Sequence, residues 1–139
     1  MKNKSSILLK ALNKENLPTP PIWYMRQAGR YMPEYRQVRK RFKNFLDMCK
    51  NPEVCCELAL QPINAFNLDA GILFSDILTI PDALGLEVKF EENKGPIFNN
   101  PIKSIKDIEN LKPFYPESLS YVYEAVSNLT QNIGETFGE

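Results

Sequence analysis

Between residues 33 and 49 the apolar side chains Tyr35, Val38, Phe42, Phe45 and Cys49 recur at the spacing of an amphipathic helix. Pro33 suits a first helical position and Glu34 a first turn. Arg36, Arg39, Lys40 and Lys43 fall on the opposite face, and a break is expected near Lys43 and Asn44. Asn51-Pro52-Glu53 then announces a second helix: a capping side chain, a proline at the first turn and an acid behind it. This helix is expected to reach about Asn67, with Val54, Cys55, Leu58 and Ala59 facing inward and Pro62 kinking or weakening it. A short amphipathic helix over 5–12 precedes these elements. It cannot continue through Leu17-Pro18-Thr19-Pro20-Pro21, because proline lacks the amide donor and restricts the residue before it. A last helix is expected over 116–133, with Leu119, Val122, Ala125, Val126 and Leu129 as its apolar face.

Two short, nearly continuous apolar runs read differently. Ile22-Trp23-Tyr24-Met25 and Asp69-Ala70-Gly71-Ile72-Leu73-Phe74 have the length and residue types of buried strands. The order strand, helical connection, strand points to an α/β protein with a parallel sheet. Leu86 to Phe90 alternates instead, residues 91–95 form a turn, and Pro96-Ile97-Phe98 can return as an antiparallel partner outside that sheet. A short helix is expected to begin at Ser104.

Composition narrows the class. The 139 residues are 43% hydrophobic and 24% charged with zero net charge, which fits one globular domain and no general attraction to nucleic acid or anionic membranes. The charge is uneven. Arg26, Arg30, Arg36, Arg39, Lys40, Arg41 and Lys43 face a single nearby acid, Glu34, and a basic patch of this size suits a small anionic ligand. Cys49, Cys55 and Cys56 are odd in number and form no CxxC pair, so they read as buried apolar thiols in a reducing cytoplasm rather than a disulfide framework. With no histidine, Ser-His and Cys-His catalysis within this chain is excluded, and no zinc-ligand spacing exists. The N-terminal apolar stretch is too short for a signal peptide, and no run is long enough to cross a membrane.

Two features carry candidate chemistry, and both sit at the ends of the expected parallel strands. The loop Arg26-Gln27-Ala28-Gly29-Arg30 offers two guanidiniums that can fork onto carboxylates, with small residues that let the backbone approach a ligand. The plainer alternative is a solvated basic loop. Asp76 follows Phe74 and Ser75; as a partly desolvated carboxylate it can accept N–H donors or face a developing cation. The plainer alternative is an N-cap for a helix over 77–84. Together, peripheral arginines and a central aspartate would suit a ligand ringed by carboxylates with N–H groups at its middle.

The run Pro21-Ile22-Trp23-Tyr24-Met25-Arg26-Gln27-Ala28-Gly29-Arg30-Tyr31-Met32-Pro33-Glu34-Tyr35-Arg36 resembles the N-terminal signature of the uroporphyrinogen decarboxylase family. Pro52-Glu53-Val54-Cys55-Cys56-Glu57-Leu58-Ala59-Leu60-Gln61-Pro62, Phe74-Ser75-Asp76-Ile77-Leu78, Pro81-Asp82-Ala83-Leu84-Gly85 and Lys94-Gly95-Pro96 resemble it too, in order, over about residues 8–113. The resemblance implies a single (β/α)8 barrel, here the N-terminal portion of one domain over 1–139, with an antiparallel hairpin insertion and the barrel incomplete. It implies a cytoplasmic homodimer that removes carbon dioxide from the four acetates of uroporphyrinogen III to give coproporphyrinogen III, without metal or organic cofactor. It assigns Arg26, Gln27, Ala28, Gly29, Arg30 and Asp76 to the substrate and Asp76 and Arg26 to catalysis. Arg26 can relay a proton only if its acidity is strongly perturbed. Arg39 can add to the anion-attracting field, although an exposed helix face is the plainer reading.

The resemblance fades near Phe114. The tyrosine, hydroxyl residue and C-terminal histidine that the family places later at its site are not matched, so turnover is expected to need a further part of the barrel. The alternatives are an inactive remnant or porphyrinogen-binding piece, and a relative of the corrinoid-linked methyltransferases. The Arg26–Arg30 loop argues against the last.

Overall fold

The computed structural model describes residues 6–23, 31–91 and 94–137. In chain order these form α1 (Ile7–Leu12), α2 (Pro33–Lys40), α3 (Phe45–Cys49), α4 (Pro52–Phe66), α5 (Thr79–Ala83), β1 (Val88–Glu91), β2 (Gly95–Phe98) and α6 (Ile105–Glu109). A 3-10 turn (Pro116–Leu119) then leads into α7 (Ser120–Phe137).

The hub is α4. Its start follows from local chemistry: Asn51 accepts the Val54 amide proton on its side-chain oxygen at 2.9 Å, Pro52 needs no donor and Glu53 sits in the first turn. It runs through Pro62, whose side chain is fully buried, and ends where Asn67 turns left-handed (φ 50°, ψ 47°). Two clusters pack on it. Val54 and Leu58 meet Met32, Tyr35, Val38 and Met48 from α2, α3 and the residue before α2, with Phe42, Phe45 and Phe74 around them. Cys56 and Ala59 meet Leu129 of α7, with Leu60, Leu73 and Ile133 alongside. Neighbouring Leu73 and Phe74 therefore serve different clusters, the alternation of an extended chain. Gly71 lies so close to α4 that a β-carbon would run into the Ile63 side chain.

The break near Lys43 and Asn44 separates α2 from α3, and Asn44 caps α3 by accepting the Asp47 amide proton at 2.7 Å. The hairpin pairs Val88 with Phe98 and Glu91 with Gly95, antiparallel as expected. It docks through Phe90, whose ring lies 5.0 Å from Phe45; Phe45 and Tyr35 lie 6.0 and 6.1 Å from Phe74. A capping box of Ser104 and Asp107 opens α6.

Two expectations need correction. The parallel strands at 22–25 and 69–74 are not found as strands among the described residues. A strand exists by virtue of its neighbour, each of these runs was the other's expected neighbour, and 24–25 lie outside the described residues. One rung is present: the Asp69 amide donates to the Ile22 carbonyl at 3.0 Å, and the Ile22 amide donates to the Asp69 carboxylate at 2.9 Å. The structure is thus a mixed α/β arrangement whose two-stranded sheet is antiparallel. Second, Val126 is not part of the buried face of α7; it is 49% exposed, whereas Ala125 and Leu129 are buried, Leu129 against Cys56 and Ala59 of α4.

Candidate functional site

The first predicted feature, Arg26-Gln27-Ala28-Gly29-Arg30, lies outside the described residues. Its C-terminal flank is described. Tyr31 is exposed, Met32 is buried in the α2–α4 core, and Arg36 Nη1 donates to the Tyr31 carbonyl at 3.0 Å. The loop is therefore followed at once by a fixed point of the core.

Asp76 is half-buried at the end of the extended 69–76 segment, just past Phe74 in its aromatic cluster. Its Oδ1 accepts the Leu78 amide proton at 3.0 Å. Its Oδ2 is buried and has no hydrogen-bond partner among the described residues. The helix-cap expectation is only half right. The helix begins at Thr79, later than expected, and Leu78 occupies its cap position. Asp76 closes a turn two residues ahead of itself rather than capping α5 directly. This arrangement uses one carboxylate oxygen and leaves the other unpaired among the described residues, an unfavourable state for a buried acceptor unless a donor is supplied. Beside it, Ile77 is 92% exposed.

Two groups near Asp76 were not linked to it in the sequence. Burial pushes the Cys49 thiol from its ordinary 9.0 up to about 12; the nearby charge of Asp76 adds to this, Cys55 adds less, and Arg39 opposes it. Burial likewise raises the Tyr121 hydroxyl, followed by the charges of Asp82, Cys49 and Asp76. Cys49 at the end of α3 and Tyr121 at the start of α7 are therefore within electrostatic reach of the aspartate. All three cysteines are buried free thiols, as their sequence context suggested. Arg39 differs from its exposed-face reading. It is half-buried, one step past buried Val38, and its Nη1 donates to the Phe42 carbonyl at 2.7 Å. Arg36, Lys40 and Lys43 are exposed as expected. Arg41 pairs with Glu57 at 2.7 Å.

A cavity of about 570 Å³ opens elsewhere, between α1 and the start of the 69–76 segment. Ile7, Leu8, Leu17, Pro18 and Ile133 make its lining mostly apolar, which does not suit a ligand ringed by carboxylates. Among the described residues no group of three His, Cys, Asp or Glu side chains could hold a metal ion, and no helix is long and apolar enough to cross a membrane.

The sequence model described as uroporphyrinogen decarboxylase (URO-D) matches residues 3–137. The chain belongs to the uroporphyrinogen decarboxylase family. The family match runs past Phe114, where the motif resemblance faded, and takes in α7. A uroporphyrinogen decarboxylase of Legionella pneumophila (strain Corby) is 54% identical over 129 residues, covering 92% of this chain and 37% of that protein. One of Francisella tularensis subsp. novicida (strain U112) is 51% identical over 129 residues, covering 91% of this chain and 38% of that protein. The chain thus spans less than two-fifths of the length of these relatives.

Proposed function

We propose that this chain forms the N-terminal wall of a uroporphyrinogen decarboxylase site, within a (β/α)8 barrel that further chain completes. The whole protein would remove carbon dioxide from the four acetates of uroporphyrinogen III and yield coproporphyrinogen III. The observation that carries this reading is the divided carboxylate of Asp76. Oδ1 is fixed by the Leu78 amide, and Oδ2 is buried and without a donor among the described residues. A tetrapyrrole whose pyrrole N–H groups point to the ring centre supplies such donors.

The chemistry follows from charge. Protonation of a pyrrole carbon makes the ring cationic, and the ring then accepts the electron pair released as the acetate C–C bond breaks and carbon dioxide leaves. A second proton completes the methyl group, and the proton first added to the ring carbon leaves to restore the neutral pyrrole, so one proton is consumed for each carbon dioxide released. The cationic intermediate gains more from a fixed, desolvated carboxylate than the neutral substrate does, which is the condition for lowering a barrier. Arg26 and Arg30 would hold peripheral carboxylates bidentately, with Gln27, Ala28 and Gly29 shaping the loop between them. No metal or organic cofactor enters this scheme. A homodimer in the cytoplasm is the assembly that accompanies it.

The test is complementation. The chain is co-expressed with the part of the Legionella relative that lies beyond the matched residues, and coproporphyrinogen formation is assayed. Formation dependent on both pieces supports the proposal. Substrate binding without turnover would favour a porphyrinogen-binding piece, and turnover by residues 1–139 alone would refute the need for a second part.

A further inference from the structure

Asp76 is useful to a reaction only if its carboxylate is held still, and the chain of groups that holds it can be followed outward. The Leu78 amide donates to Asp76 Oδ1 at 3.0 Å. The Leu78 carbonyl accepts the Asp82 amide proton at 3.0 Å in the first turn of α5. Asp82 Oδ2 in turn meets Lys50 Nζ at 2.6 Å. Lys50 is the capping residue of α3, its amide donating to the Leu46 carbonyl at 2.9 Å, and α3 buries Met48 and Cys49 against the core.

The α5 turn needs such an anchor. It has five residues, none of them buried, and no side-chain cap, so its own packing fixes it weakly. Cys49, the residue before Lys50, lies within electrostatic reach of the Asp76 carboxylate. The Lys50–Asp82 pair thus joins the turn that holds Asp76 to the end of α3.

We infer that the Lys50–Asp82 ion pair is a positioning device for Asp76, tying the Leu78 turn that grips its carboxylate to the packed end of α3. This rests on the proposed role of Asp76. The pair is partly exposed, with 42% and 26% of the two side chains accessible, so its effect is modest. Breaking it should lower kcat about threefold, the scale of a partly exposed ion pair expressed at the transition state, with KM unchanged.

The test uses the complemented enzyme. Lys50→Met and Asp82→Asn are each expected to lower kcat about threefold, and the exchange Lys50→Asp with Asp82→Lys to recover most of the loss. In an Asp76→Asn background, Lys50→Met is expected to change the residual turnover no further, because its effect passes through the carboxylate. A general structural defect would lower both backgrounds alike, and thermal midpoints of all variants identify any that fold poorly. Unchanged kcat in Lys50→Met, or the same drop in both backgrounds, would overturn the inference while leaving Asp76 in its role. Full activity of Asp76→Asn would overturn both.

Discussion

Replacing Asp76 by asparagine separates the two oxygens of its carboxylate. The amide oxygen can still accept the Leu78 amide proton that Oδ1 accepts now at 3.0 Å. The turn into α5 should therefore survive, with a stability change within about 1 kcal/mol, the ordinary net worth of one hydrogen bond. At the Oδ2 position the substitution replaces a buried acceptor, unpaired among the described residues, with a neutral donor. If that oxygen faces pyrrole N–H groups and then a cationic ring, both attractions are lost. Removing one preorganised group of this kind costs about 10²–10³ in kcat, or about 3–4 kcal/mol at the transition state. Alanine makes a useful contrast. It should lose turnover similarly but also lose the turn, at a cost of about 0.5–2 kcal/mol in stability. Arg39→Ala removes a guanidinium whose Nη1 already serves the Phe42 carbonyl, so its effect on kcat should be smaller. In the complemented enzyme, products sorted by their number of carboxylates report kcat, and thermal midpoints report stability. An asparagine variant within about threefold of the parent enzyme would refute the central-carboxylate argument, since a lost charge interaction of the stated size cannot leave so little trace. So would equal, small effects of Asp76→Ala and Arg39→Ala.

Two further outcomes follow from packing and burial. Leu58 is fully buried where α4 meets α2 and α3, so Leu58→Ala should lower stability to urea unfolding by about 2–5 kcal/mol; a loss under about 1 kcal/mol would contradict the packing described. Burial holds Cys49 and Cys55 as thiols up to about 12 and about 11, against an ordinary 9.0, so between pH 9.0 and those values the folded chain keeps protons that the unfolded chain releases. Stability should be undiminished below pH 9.0 and fall as pH rises, less steeply in Cys49→Ala, and native thiols should resist alkylation near neutrality; rapid labelling of the folded chain there would refute the burial argument.

What was legible in the sequence follows from how local each signal is. The bounds of α4 depend on Asn51, Pro52 and Asn67, whose effects act within a few residues, and they came out as read. The hairpin needed only alternation and a tight return through Gly95, which has a positive φ of 82°. The parallel strands depended on a neighbour far along the chain, and periodicity carries no information about whether that neighbour is in place. Val126 fails for a related reason. Its spacing matches the apolar face of α7, but burial requires an element above it, and Ala125 and Leu129 are buried where Val126 is not.

Asp76 stood out in the sequence as a candidate, and the groups near it did not. An acid at the end of an apolar run stands out because it is rare there, whereas a lysine at the end of one short helix and an aspartate in another do not. Only the fold shows that Lys50 and Asp82 meet, and only the fold brings Cys49 and Tyr121 toward the same carboxylate. The turn contact of Asp76 and its proposed ligand-facing role do not exclude each other. The turn occupies Oδ1 and orients the group, and Oδ2, which takes no part in it, is left for an incoming donor in the proposed site. A ligand need not displace the turn to reach the aspartate; the turn is what keeps the aspartate where a ligand could use it.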